Sequence, residues 1–271
     1  MKLLSLLTIT LALTTPVLAQ TPPPQSVAEA LAKQELNEAA VAYREGKFAE
    51  AQVHSERALL LDPQNKTAPY FVARTIHAQY KPGDSTPDNL ATARQAIVSY
   101  QKILERFPAD DEAYKAVAYL YGALKEDELQ NEWILRRAAD VSMANDKRAE
   151  AFVVLASRKW DCSFKVTELP ANKITTAHRN KAYVSYRKPK DPVEFERIKE
   201  CANRGLELAN MAIALTPENE AAWSYKTNIL LELAKLAEMS GNAQRKTEFH
   251  RQYEEALSQT TRLSKRSQSN P

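Results

Sequence analysis

The sequence predicts an all-α chain, a helix-turn-helix repeat solenoid of about five stacked helix pairs, and three observations carry that expectation. Apolar residues recur at helical spacing along most of the 271 residues. Glycine is scarce, 5 residues in all, although β-rich folds need it at turns and helix interiors avoid it. Three segments also read alike: "FAEAQVHSERALLLDPQN" from Phe48, "ARQAIVSYQKILERFPAD" from Ala93 and "NRGLELANMAIALTPEN" from Asn203. Each closes on a proline, at Pro63, Pro108 and Pro217.

The elements follow in chain order. "MKLLSLLTITLALTTPVLAQ" places one lysine before an apolar run and small residues where a signal peptidase reads, so residues 1–19 are expected to be a secretory signal peptide. The run is too short for an ordinary spanning helix, and no later run is apolar enough for one. Residues 20–25 read as a flexible linker. Ser26 and Glu29 have capping-box spacing and open a helix to about Arg44. Asp110 with Asp111 opens another through Leu124, and Asp146 opens one toward Lys159. Partner helices begin near Phe48, Asp88, Asp127, Asp191 and Asn242; Thr86-Pro87 and Asp191-Pro192 put a cap before a first-turn proline. The third pair is degenerate, with no glycine in its turn. The helical domain is expected over residues 26–262, and residues 263–271 read as a disordered tail.

Small residues stand five positions before each proline and seven earlier again: Ala51 and Ala58, Gly205 and Ala212, with Ala96 and the larger Ile103 between. Such spacing lets two helices approach closely, and the proline ends the helix. Gly46, Phe48, Ala51, Ala58, Leu59, Leu61 and Pro63 together resemble the second helix of the tetratricopeptide repeat; Tyr100 supplies its aromatic in the next copy. Trp223 stands where that family often has tryptophan. The phased recurrence covers most of residues 30 to 260, and the leader suggests an exported, bacterial member. The resemblance implies a superhelix that binds proteins or peptides without catalysis.

Family repeats span about 34 residues. Pro63 and Pro108 are 45 apart, so the second pair carries about 11 extra residues, expected in "KPGDSTPDNLA". Pro108 and Pro217 are 109 apart, about 41 more than two repeats need, and the excess falls in the fourth pair. The chain's two cysteines, Cys162 and Cys201, are expected at its two ends, where the first helix stops and the second starts. In an exported protein they are expected to be joined as a disulfide, the alternative being two buried thiols. The insertion, residues 163–190, alternates like strands, with His178-Arg179-Asn180 as the turn between Ile174–Ala177 and Ala182–Tyr186. It reads equally as a partner-binding lobe or as packing.

Net charge is +3 and signs are interspersed, which argues against nucleic acid as a main partner. The four histidines are scattered, and no CxxC, HExxH, GxSxG or phosphate-cradling glycine loop is present. No enzyme activity, metal or cofactor is expected. The register places Tyr43, Tyr70, Arg74, His77, Lys115, Tyr119, Trp160 and Asn228 on the concave faces of the first helices. Aromatics with a few cations suit a peptide of apolar and acidic character, core packing being the alternative role for each. The expected function is a peptide-binding scaffold, an exported envelope adaptor or assembly factor in the periplasm or outside the cell, with no stable membrane insertion. The alternative is a structural, self-associating protein that dimerises through "ILLELAKLAEM" and its thin cover, the last helix pair.

Overall fold

The computed structural model describes residues 24–178 and 181–269. The expected signal peptide, linker residues 20–23, Arg179 and Asn180 of the expected turn, and residues 270–271 lie outside the described residues. Ten helices and one hairpin follow each other among the described residues: α1 Gln25–Arg44, α2 Phe48–Leu61, α3 Ala68–Gln79, α4 Pro87–Arg106, α5 Asp111–Ala123, α6 Asp127–Ala139, α7 Asn145–Thr167, β1 Lys173–His178, β2 Lys181–Tyr186, α8 Pro192–Leu215, α9 Glu220–Met239 and α10 Ala243–Ser269. The chain divides into two compact units between Ile103 and Leu104.

The small residues of the repeated segments hold the pairs together, as expected. Ala51, Ala58 and Ala96 are fully buried, Ile103 is 1% exposed, and Ala212 is fully buried. In the first unit α1 packs on α2 and α2 on α3, with Ala32, Ala58 and Ala68 meeting under Leu36, Leu59 and Leu61. In the second unit Gly205 of α8 faces both α7 and α9. A Cβ there would meet Lys159 Cβ and Ile229 Cδ1, each at 3.2 Å, so even a methyl group would be tight between the three helices.

Short turns join the pairs by one device. Gly46 and Gly241 have φ of +76° and +69°, and the next amide, of Lys47 or Asn242, bonds back to the carbonyl of Ala42 or Ala237. The third pair makes the same turn with Lys125 at φ +59°, Glu126 bonding back to Tyr121. The turn geometry is thus kept where the glycine is missing, at some backbone strain.

Several expectations need correction. No capping box forms at Ser26; α1 starts at Gln25, and the Pro24 carbonyl accepts from the amides of Val27 and Ala28. A proline with its φ fixed stands at the cap position, two residues before Ser26. The extra residues of the second pair are shared between a loop, residues 80–86, and the first turns of α4. Asn89 ties that loop down, its amide donating to the carbonyls of Lys81 and Asp84 and accepting from the Lys81 amide. The cysteines do not mark helix ends. α7 runs past Cys162 to Thr167, and α8 begins well before Cys201, at Pro192. Much of the excess length has therefore gone into longer helices, 23 and 24 residues, and the disulfide links them side by side with Cα atoms 6.1 Å apart. At the C-terminus the expected tail is helical to Ser269, because the apolar rhythm continues through Leu263, which is 5% exposed.

The hairpin pairs antiparallel from Lys173↔Tyr186 to His178↔Lys181, as the alternation predicted. Its base is tied down: the Asn172 side chain donates to the Val166 carbonyl of α7, and Arg187 N–H to the Asn172 carbonyl.

Three outcomes follow. Cys201→Ser should destabilise the second unit by about 3–4 kcal/mol in urea unfolding, the chain-entropy value for the closed loop. Lys125→Gly should raise stability by about 1 kcal/mol by relieving the left-handed lysine. Gly205→Leu should cost about 1–3 kcal/mol through overpacking.

Candidate functional site

The sequence-predicted residues fall into separate groups. In the first unit, Tyr70, Arg74 and His77 share one face of α3 by their spacing. The Arg74 guanidinium lies 5.9 Å from the Tyr43 ring centre, and that ring meets Phe48 edge-on at 5.2 Å. Tyr43 and Tyr70 are half-buried and Arg74 is exposed. His77 Nδ1 lies 3.3 Å from the Tyr100 hydroxyl. Burial lowers its pKa, so His77 contributes a neutral ring at pH 7. Tyr43, Arg74 and Tyr70 thus offer an aromatic surface with one cation.

In the second unit, Lys115 and Tyr119 are one turn apart on α5 and both exposed, Tyr119 by 53%. Lys115 is not a lone cation, since its ammonium pairs with Asp111 at 2.7 Å. Trp160 packs on Phe164 at 4.7 Å and on Tyr225 at 6.1 Å, against the main apolar cluster. Its role is chiefly packing. Asn228 is half-buried on α9.

Two constellations escaped the sequence reading. The first joins α5 and α6. Arg137, 6% exposed, donates to Asp111 at 2.7 Å and lies 3.9 Å from the Tyr114 ring centre. Trp133 stacks on Tyr114 at 5.8 Å and donates its indole N–H to the Tyr114 carbonyl. Burial alone would raise the Asp111 pKa, but bonds from Lys115 and Arg137 outweigh it and hold the carboxyl at about 2. Burial pushes the Tyr114 phenol to about 12. Beside them is a hollow of about 170 Å³ lined by Leu104, Pro108, Tyr114, Trp133, Arg137 and Met143, among others. Its size suits one apolar side chain. Asp111 could have been suspected, because Asp110 already caps α5 through the Ala113 amide and leaves its neighbour spare.

The second constellation holds the insertion. Glu232, 1% exposed on α9, accepts from Thr167 at 2.7 Å and Ser163 at 3.4 Å, both on α7. Lys235 bridges Glu232 at 2.5 Å and Glu168 at 2.8 Å. Glu168 also pairs with Lys173 of β1 and accepts from the Tyr186 hydroxyl of β2. Glu238 takes the Tyr186 amide at 3.0 Å. Burial alone would raise the Glu168 pKa; bonds from Lys173 and Lys235 reverse that and hold it at about 2. Burial alone would lower that of Lys235, and its two carboxylates raise it instead. The sign was present in "LLELAKL", where two opposite charges stand one turn apart inside an apolar run. These charges are paired with one another and join α7, α9 and the hairpin.

Among the described residues no group of three histidines, cysteines or acids could hold a metal, and no helix is long and apolar enough to cross a membrane. The apolar surface expected on the last pair is also missing. Leu230, Leu233, Leu236 and Met239 of α9 are buried, and none of the large exposed apolar side chains among the described residues lies on α9 or α10. That removes the ground for dimerisation through this pair.

No model of a known protein family matches the sequence, and no curated protein matches it. Solved structures align over most of its length. The MamA protein is 13% identical, covers 87% of this chain and 94% of its own, and has a TM-score of 0.38. A tetratricopeptide repeat protein from Parabacteroides merdae is 11% identical over 86% and 99%, with a TM-score of 0.36. The TPR2AB domain of yeast Sti1, in complex with pHSP90, is 14% identical over 86% and 99%, with a TM-score of 0.32. Scores this low carry no argument, and the fold assignment rests on the helices themselves.

The acid response follows from the two depressed carboxyls. Glu168 and Asp111 have ordinary values of 4.5 and 3.8 and folded values of about 2. Their contribution to stability is complete above about pH 5 and lost as pH falls toward 2. Urea midpoints measured across that range should fall, and Glu168→Gln with Asp111→Asn should flatten the fall. Lys235→Met, leaving Glu232 buried and unpaired, should cost about 3–5 kcal/mol, and Glu232→Leu added to it should recover much of the loss.

Successive helix pairs, closed on buried small residues at the expected phase and turned by left-handed residues, make this an all-α helix-turn-helix repeat fold with a hairpin inserted in its fourth pair.

Proposed function

We propose that this chain is a non-catalytic scaffold, each of whose two units can bind a protein or peptide segment on the exposed faces of its first helices. The observation that carries the reading is the aromatic and cationic surface made by Tyr43, Tyr70 and Arg74 in one unit, with an exposed Tyr119 in the other. Half-buried tyrosines offer large, stiff contact area at low entropic cost. The ionised groups brought together elsewhere neutralise one another, which supports a structural use for them over a catalytic one. The hollow beside Tyr114 and Trp133 adds an anchor point for an apolar side chain of the same ligand class.

The leader-like N-terminus supports an exported role, that of an adaptor or assembly factor for envelope proteins. With the last pair sealed, the reading favours a monomeric adaptor over a self-associating structural protein.

Pull-down from envelope extract tests this reading. Tyr70→Ala and Tyr119→Ala baits should lose partners that the parent chain retains. Unchanged partners with both variants would point away from these faces.

A further inference from the structure

The insertion differs in charge from the rest of the molecule. Between Leu169 and Lys190 there is no aspartate or glutamate, yet Lys173, Arg179, Lys181, Arg187, Lys188 and Lys190 all fall there. These are six cations in a chain whose net charge is only +3. Several cations elsewhere pair with carboxylates, as at Lys115, Arg137, Lys235 and Lys246. The carboxylates nearest the hairpin's base are already engaged: Glu168 with Lys173 and Lys235, Glu238 with Lys246 and the Tyr186 amide. Among the described residues no carboxylate pairs with Lys181, Arg187, Lys188 or Lys190.

The register sorts these cations by face. Lys173 and Tyr186 are cross-strand partners on the face tied to Lys235 and Glu168. Lys181, Tyr183, Ser185 and Arg187 fall on the opposite face by strand alternation. There Tyr183 is 51% exposed, with cations before and after it. The sheet has only two strands, so each also keeps an outer edge of backbone groups, that of β2 running from Lys181 to Ser185 because Glu238 takes the Tyr186 amide. Lys181 to Arg187 spans about 20 Å of extended chain. An extended ligand with several negative charges fits a basic, edge-open, aromatic strand of this length.

We propose that the hairpin is a second binding surface, which takes an extended acidic segment of a partner protein alongside β2. It rests on the reading of this chain as a protein-binding scaffold and gives that scaffold a preference for acidic partners. Backbone bonds along the open edge supply register, Tyr183 supplies contact area, and Lys181, Arg187 and Lys190 supply charge.

The test uses a fluorescent peptide alternating glutamate with valine, titrated with the full chain and read by anisotropy. The triple variant Lys181→Glu, Arg187→Glu, Lys190→Glu should weaken binding about tenfold or more. A control of equal charge change on exposed sites elsewhere, Lys33→Glu, Lys66→Glu, Lys102→Glu, should stay within about twofold. Binding by the parent chain should weaken as salt is raised. Equal losses in both triple variants would overturn the inference, showing only a general field. No binding to the peptide would also overturn it, leaving the charges to keep the strand edge from pairing with copies of itself. Binding to vesicles of phosphatidylcholine with phosphatidylglycerol, but not to the peptide, would overturn it in favour of a membrane surface. Pull-down separates the two proposals: partners kept by the hairpin variant but lost with Tyr70→Ala would sink the acidic-segment inference and leave the scaffold standing.

Discussion

Close approach of paired helices at small side chains is the constraint on which the structure depends. A single helix of this sequence cannot bury its apolar stripe, and it does so only against its partner and the next pair. Ala51, Ala58, Ala96 and Ala212 have no exposed surface at all, and a Cβ at Gly205 would press on two neighbouring helices at 3.2 Å. The left-handed turns at Gly46, Lys125 and Gly241 serve the same end, reversing the chain so quickly that the small residues face each other. Even a lysine is held there, a sign that the pairing dominates local preference.

Within that frame the fourth pair is an elaboration. Its helices, of 23 and 24 residues, are much longer than α2 and the two helices of the third pair, and their ends project beyond the disulfide. An extension of this kind needs something to lie on, and α9 supplies it. Glu232 and Lys235 reach across to Ser163, Thr167 and Glu168, and through Glu168 to both strands of the hairpin. The disulfide fixes α7 against α8, while the charge network fixes the pair and the hairpin against α9. Neither is simply a fastening at the base of a loop.

Much of this was legible in the sequence, for identifiable reasons. Helix pairs, their prolines, the hairpin and the cysteine pairing each leave a local pattern: a period, a spacing or an alternation. The start of α8 was legible in Asp191-Pro192, where the aspartate caps the helix through the Val193 amide. The run of α7 past Cys162 to Thr167 was not, because the partners of Ser163 and Thr167 lie on α9, far along the chain. The site was less readable than the fold. Tyr43, Tyr70, Arg74 and Tyr119 keep an accessible face. Trp160 packs against the main apolar cluster, Lys115 pairs with Asp111 and His77 is a half-buried, neutral ring, because tertiary partners decided among roles that helical spacing leaves equal. Arg137 and Tyr114 were missed since their partners lie on another helix, at a separation that no sequence period marks.

The central claim is that the chain beyond the disulfide is ordered by its contact with α9. Amide hydrogen exchange of the full, oxidised chain, followed by mass spectrometry, examines that most directly. The account predicts that residues 163–167 and 192–200 exchange as slowly as the α7 and α8 segments on the other side of the cysteines. Exchange there at the rate of an unstructured loop, with the rest of both helices protected, would contradict it.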